Sequence, residues 1–472
     1  MIHGRAIIDL HNTKTHRDER IVHDNMLTNW LSDVLPGAAN LSAGFITASD
    51  IISAKLFGGL IMFRNALSND ASDYLFPLPS ENRMIAHADL QTYSGNDLSR
   101  GSYNEAQSSA TDGTITNVWD FTQEQGNGTI SSLGLCLDVF GKIGSGGTAN
   151  VSNNATERTF LPATSALWAA DTTRQYTYNR TTGILHAMTL ANGILTIVDK
   201  SPLTKTINPV RVNFAKRDTS PSTQYSVVNS PALATRIVDL SSVLGSVSKS
   251  ASWLTDDGQY LYMLPVGSDW SNGASKTLVK VKLEDGTYTT QTVTNNTERT
   301  LYLSNWWVGI SICSIAILND ILYIQTTANN VCYIDLTDNT NCGVVKLPDN
   351  TTEVVGEEAF STRQRCPFAS FGKGIVFAAT SVYSNIQKNY ILDGATAYPL
   401  ALAAYRQYSD YVTTGYYMGK YNKTAVLIGD SGYAPALCYI PALMTKNNLE
   451  SAVTKTADMT MRVTYTVTDA AE

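Results

Sequence analysis

Apolar and polar positions alternate in short runs along most of this chain, and Gly, Asn, Asp and Pro punctuate the runs. A period of two marks half-buried strands. The clearest case closes the chain, where Met459, Met461, Val463, Tyr465 and Val467 share one face. This strand is expected to return and pair with the N-terminal region. At the other end, residues 2–10 carry the apolar run Ala6-Ile7-Ile8. The polar turn His11-Asn12-Thr13-Lys14 and a charged strand through Ile21 and Val22 follow, which predicts a hairpin. One stretch changes period: Leu27, Trp30, Leu31, Val34 and Leu35 recur at spacings of three and four. That spacing predicts a short helix, capped by Asp24 or Asn25 and ended by Pro36-Gly37. Residues 56–63 read as a buried strand with a glycine kink, residues 64–117 as loop-rich, and Val118-Trp119-Asp120-Phe121 as alternating. Gly126-Asn127-Gly128-Thr129-Ile130 reads as a tight turn into a strand over 133–140. The glycine-rich stretch 141–147 is expected to be a flexible break between domains.

Beyond residue 165 a longer pattern repeats: turn, apolar strand, polar gap, second strand, turn, third strand. It runs through Gln259-Tyr260-Leu261-Tyr262-Met263-Leu264, Ile321-Leu322-Tyr323-Ile324 and Ile375-Val376-Phe377-Ala378, with echoes near Ile184 and Val426. The leading strands begin near residues 259, 321 and 375, a period of roughly 55–60 residues, as in stacked sheet repeats. Each unit reads as the middle of a four-stranded blade, and the span has room for about five to seven. The expected class is mainly β. An N-terminal β-rich assembly domain with one short helix (1–150) is closed by the C-terminal strand (455–472), and a β-propeller-like repeat domain occupies 165–450. Paired β-sandwiches or a β-solenoid are the alternatives.

Composition agrees with many short strands. Only 16% of residues are charged, so Thr, Ser, Asn, Gly and Tyr must supply the polar surface. The net charge is -7 with no basic run, which excludes an obvious landing site for nucleic acid. No apolar window is long enough for a spanning helix, and the opening residues do not read as a signal peptide. Cys136, Cys313, Cys332, Cys342, Cys366 and Cys438 lack metal-ligand spacing and read as small buried hydrophobes, with a Cys332–Cys342 bridge as an alternative.

Several blocks resemble a family of virion structural proteins of tailed phages and prophages from Gram-positive and gut bacteria. Gly4-Arg5-Ala6-Ile7-Ile8-Asp9-Leu10 with Asp24-Asn25-Met26-Leu27-Thr28-Asn29 is similar to that family's opening strand and helix entry. Leu56-Phe57-Gly58-Gly59-Leu60, Arg100-Gly101-Ser102-Tyr103-Asn104-Glu105, and Val118-Trp119-Asp120-Phe121 with Gly126-Asn127-Gly128-Thr129-Ile130 resemble the next blocks. Residues 459–467 resemble its closing strand. The blocks cover the first 140 residues and the last 20 in family order, whereas the middle matches only in texture. Leu27 stands where the family usually has Val, and Cys136 where Thr was expected. The resemblance implies a virion component, assembled in host cytoplasm, with other virion proteins as partners and no catalytic residues to carry over.

Candidate chemistry is sparse. His3, His11 and His23 could gather on the first hairpin, but no Cys or carboxylate completes a ligand spacing, so no metal is expected. No Gly-x-Ser-x-Gly elbow occurs, and the 141–147 stretch lacks the Gly-Lys-Ser/Thr ending of a phosphate loop. Adjacent acids such as Asp256-Asp257 and Glu357-Glu358 point to opposite faces of a strand and make a poor two-carboxylate site. Asp335-Leu336-Thr337-Asp338-Asn339 reads as a turn rather than a calcium loop. Catalytic, cofactor and metal residues are accordingly all expected to be none. Aromatic surplus is the main binding signal: Trp306, Trp307, Tyr405, Tyr408, Tyr411, Tyr416 and Tyr417 read either as core between blades, the usual place for aromatics in such a fold, or as a surface for host glycan or protein. The expected function is a non-enzymatic, homo-oligomeric particle component, a tail, tail-fibre or capsid-decoration protein. It docks through its termini and projects the propeller for host attachment or decoration. A tail-borne glycan hydrolase and a stand-alone carbohydrate-binding protein are the alternatives.

Overall fold

The computed structural model describes residues 2–30, 57–111, 114–136, 142–143, 174–179, 184–200, 232–246, 250–254, 259–265, 269–301, 315–326, 330–348, 368–380, 387–400, 417–421, 424–428, 436–439 and 442–469. Within them the chain is mainly β, with one named helix, α1 (Ser241–Leu244). No described helix is long and apolar enough to cross a membrane.

The N-terminal strands are β1 (Ile2–Asn12), β2 (Arg17–Asp24), β3 (Met26–Leu27), β4 (Gly59–Phe63), β5 (Met84–Ala88), β6 (Ser102–Tyr103), β7 (Ser109–Thr111), β8 (Thr114–Phe121), β9 (Gly128–Cys136) and β10 (Lys142–Ile143). Four consecutive antiparallel meanders follow. They are β11 (Arg174–Asn179), β12 (Ile184–Ala191), β13 (Ile194–Lys200) and β14 (Ala234–Asp239); β15 (Ser250–Leu254), β16 (Tyr260–Pro265), β17 (Ser275–Lys282) and β18 (Tyr288–Thr294); β19 (Ile315–Leu318), β20 (Ile321–Gln325), β21 (Val331–Asp335) and β22 (Cys342–Val344); β23 (Phe368–Phe371), β24 (Gly374–Thr380), β25 (Gln387–Asp393) and β26 (Thr396–Leu400). A fifth sheet takes β27 (Tyr417–Tyr421), β28 (Thr424–Ile428) and β29 (Ala436–Tyr439) from this region, and β10 from far upstream as its fourth strand. β11 packs against β27, so the last sheet meets the first. Five four-stranded sheets, closed by an exchanged strand, make the propeller-like domain. The sequence repeat located the second strand of each sheet: β12, β16, β20, β24 and β28.

Two further strands complete the terminal unit: β30 (Thr445–Lys455) and β31 (Met459–Asp469). β31 pairs with β1 along its whole length, Ile2 facing Asp469 and Asn12 facing Met459, and with β8 on its other side. The resulting sheet has the order β2-β1-β31-β8-β6, with β7 also on β8. A second sheet, β3-β30-β9-β4-β5, packs over it. Between them lie Ala6, Ile8, Leu10, Trp119, Val463 and Tyr465 from the first sheet, Leu60, Met62, Leu133 and Leu135 from the second, and Met444 just ahead of β30. A buried polar bridge crosses this core. The Tyr465 hydroxyl accepts from Asn25 Nδ2 at 2.6 Å and meets Thr445 Oγ1 at 2.7 Å, and Thr445 Oγ1 accepts the Leu135 amide at 3.0 Å.

Some expectations shift. Asp24 and Asn25 do not cap a helix: pairing with β1 keeps the chain extended through Asp24, and the Asn25 amide donates to Gly4 O. Helical conformation begins at Trp30, whose amide meets Thr28 Oγ1 at 3.3 Å; Leu31, Val34 and Leu35 lie outside the described residues. The stretch read as a break contains β10, a strand of the propeller-like domain, and the chain is back in the terminal unit by Thr445, ahead of position 455. Cys332 and Cys342 are free thiols, because the register sets Cys332 opposite Val344 and Cys342 opposite Ile334.

The loop over 73–81 ties the two units together. Its Phe76 carbonyl accepts the Lys373 amide at 2.8 Å, Lys373 Nζ reaches Asp73 at 3.2 Å, and the Ser80 amide donates to Asp393 Oδ2 at 2.9 Å.

Candidate assembly surface

The core face of the six-stranded sheet is apolar, so the alternation of β1, β2, β8 and β31 throws a second set of side chains outward. Register lines them up in rows. Asp9 lies opposite Arg20 on one side and Arg462 on the other, and Arg462 lies opposite Asp120. The row therefore reads Arg20, Asp9, Arg462, Asp120, with signs alternating across four strands. Arg20 Nε donates to Asp9 Oδ1 at 2.6 Å and Arg462 Nε to Asp120 Oδ1 at 2.6 Å, each with a second guanidinium bond to the same carboxylate. Forked pairs of this kind fix geometry as well as charge. The hydrogen bond that Arg462 donates to Asp120 holds it above the ordinary guanidinium range against burial, and the charges of Asp120 and Asp9 add to the shift. Two residues along lies the row Val22, Ile7, Thr464, Val118, in which Val22 is half exposed and Val118, at the β8 end, is buried. Beyond it Asp24 accepts from Arg5 at 2.9 Å, and Thr116 meets Thr466 at 3.2 Å. The face is thus ordered, charged, and partly apolar near its β2 edge.

Other polar clusters are inward and structural. His87 is buried, with Nδ1 at 3.4 Å from Ser99 Oγ and Nε2 at 3.9 Å from Asp97. Ser99 gives its hydroxyl proton to Asp97 Oδ1 at 2.6 Å, not to the imidazole, so the trio locks a turn and forms no nucleophile relay. Burial pushes His87 down to about 4, against the opposing pull of Asp97. In the propeller-like domain His186 Nδ1 bonds Asp199 at 2.7 Å, and Arg236 pairs with the same carboxylate while donating to Leu283 O of the next sheet. Lys455 donates to Gln123 O at 3.2 Å and Asn127 Oδ1 at 2.8 Å, and burial brings it down to about 8. Asp335 is filled by donors from Thr337 and Asn341, which hold it below the usual carboxylate range; it is a turn lock.

Among the described residues no group of three or more His, Cys, Asp or Glu gathers as a metal site. His3, His11 and His23 face Thr468, Asp18 and Ala6 across the strands, and the register does not bring them together. Of the proposed aromatic surface, Tyr417 begins β27. Trp306, Trp307, Tyr405, Tyr408, Tyr411 and Tyr416 lie outside the described residues, as do Asp256, Asp257, Glu357 and Glu358. The charge row escaped the sequence reading because its members are spread from position 9 to position 462. The available signal was the charged run Arg17-Asp18-Glu19-Arg20.

No family model matches the chain, and no curated protein matches it. Matches to solved structures are weak. An uncharacterized protein of Listeria monocytogenes EGD-e is 11% identical, with 54% of this chain and 73% of that one covered at a TM-score of 0.22. The β-propeller domain of the Trilobed protease from Pyrococcus furiosus is 10% identical, covering 54% and 62% at 0.23. A putative 6-phosphogluconolactonase from Bacteroides fragilis NCTC 9343 is 11% identical, covering 84% and 94% at 0.22.

Proposed function

We propose that this chain is a structural component of a tailed-phage or phage-tail-like particle, with the terminal unit as its docking base and the propeller-like domain as its projecting body. The observation that carries the reading is convergence. The blocks that resemble virion proteins lie at opposite ends of the sequence, yet those in β1, β4, β6, β8, β9 and β31 meet in one two-sheet unit. A base knitted from both ends holds an inserted body at two covalent points, and the 73–81 loop adds non-covalent ties. In this reading the base meets other virion proteins and the projecting body meets a host-surface glycan or protein or decorates the particle, without turnover. The test is negative-stain imaging of particles assembled without this chain. An appendage or decoration should be missing from them. Particles indistinguishable from the intact ones would overturn the reading.

A further inference from the structure

The row Arg20, Asp9, Arg462, Asp120 has a symmetry of its own. Four charges alternate in sign, so reading the row backwards inverts every sign. A two-fold axis along the β1–β31 seam, in the plane between two facing sheets, performs that reversal. It sets Arg20 against the second copy's Asp120 and Asp9 against its Arg462, and the same pairs recur with the copies exchanged. We propose that the outer face of the six-stranded sheet is an isologous interface between two copies of this chain.

The rest of the face obeys the same operation. Ile7 is set against the second copy's Thr464, and Arg5 against its Thr466, so no like charges meet in these rows. An axis parallel to the strands keeps the two sheets' strands aligned. Aligned sheets cross at about 30° because each is twisted, and long Arg side chains span the resulting offset of a few Å at the outer pairs. Second-copy complementarity follows from the row itself; a different protein would have to carry the reversed row independently.

Size sets the strength. Four strands at about 4.8 Å spacing and about eight residues at about 3.4 Å rise give roughly 500 Å² per copy. The total, roughly 1,000 Å², sits at the threshold of specific interfaces. Together with half-exposed charges, this makes the dimer concentration-dependent and salt-sensitive. The inference stands on the face alone, and the purified chain reads it whether or not the particle assignment holds.

Sedimentation velocity on the full chain at tens of micromolar, in low and high salt, tests it. The chain should dimerise at low salt and dissociate as salt rises. Arg20→Asp and Asp120→Arg should each sediment as monomer, and an equimolar mixture should dimerise again, because the mixed pair restores both outer contacts. Should Asp120→Arg disturb its own fold beside Arg462, Thr464→Arg replaces it as a disruptor at an outward, half-buried position; it should give a folded monomer. A wild-type chain that is monomeric throughout overturns the proposal and leaves the face to another partner. Charge reversals that leave the dimer intact, or a mixture that stays monomeric, overturn it as well.

Discussion

The two halves of this molecule use the same strand chemistry with opposite connectivity. In each of the first four meanders of the propeller-like domain, every strand pairs with its sequence neighbour: β16 with β15 and β17, β20 with β19 and β21. In the terminal unit, β31 sits between β1 and β8, so its partners lie more than 300 residues upstream on both sides, as Met461 opposite Phe121 shows. Local pairing closes small loops, whereas the terminal sheet must bring distant segments together before burial compensates for their lost entropy. The same hydrophobic pattern therefore gives modular sheets in one region and an all-or-nothing sandwich in the other.

Deleting residues 459–469 strikes this contrast hardest. Removal of β31 strips Val463, Tyr465 and Val467 from the core and leaves β1 and β8 without their shared neighbour. Several large side chains at about 2–5 kcal/mol each are comparable to the whole stability of an ordinary domain. The expected outcome, read by hydrogen exchange, is fast exchange in residues 2–12 and 114–121 while 275–294 stays protected. Equal loss in both regions would show one cooperative unit and erase the distinction.

Acid should separate the halves less sharply but in a defined direction. Burial holds His87 near 4 in the folded terminal unit, against about 6.5 for an unperturbed imidazole. The unfolded chain therefore binds the extra proton first, and stability is fully present above about 6.5 and lost as pH falls toward 4. The loss attached to this group is on the order of 3 kcal/mol. In the propeller-like domain, burial also lowers His186, but its bond to Asp199 opposes the shift directly. Urea midpoints for the 2–12 and 114–121 amides should drop between pH 6.5 and 4, and His87→Gln should flatten that slope. A slope unchanged in the variant would remove His87 as its cause.

Legibility in the sequence follows the same division. The second strand of each sheet was readable because Ile321-Leu322-Tyr323-Ile324 and its counterparts sit beside their own turns, and a local pattern suffices to define a hairpin. The return of residues 459–467 was readable as a strand and as a homecoming, because its alternation is strict. Lys142-Ile143 was not legible as a strand for the opposite reason. Lys142-Ile143 has almost no pattern of its own, and it is a strand only because Leu437 and Cys438 offer an open edge almost 300 residues later. Asp24 and Asn25 suited a helix start by residue type, but the hairpin partner Arg5 claimed the backbone first. The charge row is the extreme case: neither Asp9 nor Arg462 has meaning until register places them side by side.

The smallest effect concerns the joint between the regions. Gly372 sits at φ 57°, where a Cβ would come within 2.5 Å of the Phe76 carbonyl. Gly372→Ala adds both backbone strain and a clash with a carbonyl that must accept the Lys373 amide. Lys373→Ala removes only a partly exposed ion pair to Asp73 and Glu81, a kind of contact that contributes about 1 kcal/mol or less. The terminal unit should therefore keep its own unfolding midpoint in either variant, because neither residue belongs to a strand pairing within its sandwich. What should change is the joint: hydrogen exchange over residues 74–78 and at the 373 amide should accelerate clearly in Gly372→Ala and slightly in Lys373→Ala. If Gly372→Ala instead lowers the midpoint of the 2–12 amides, the loop over 73–81 is part of the sandwich's cooperative unit, and the boundary between the two regions lies inside the propeller-like domain rather than at its edge.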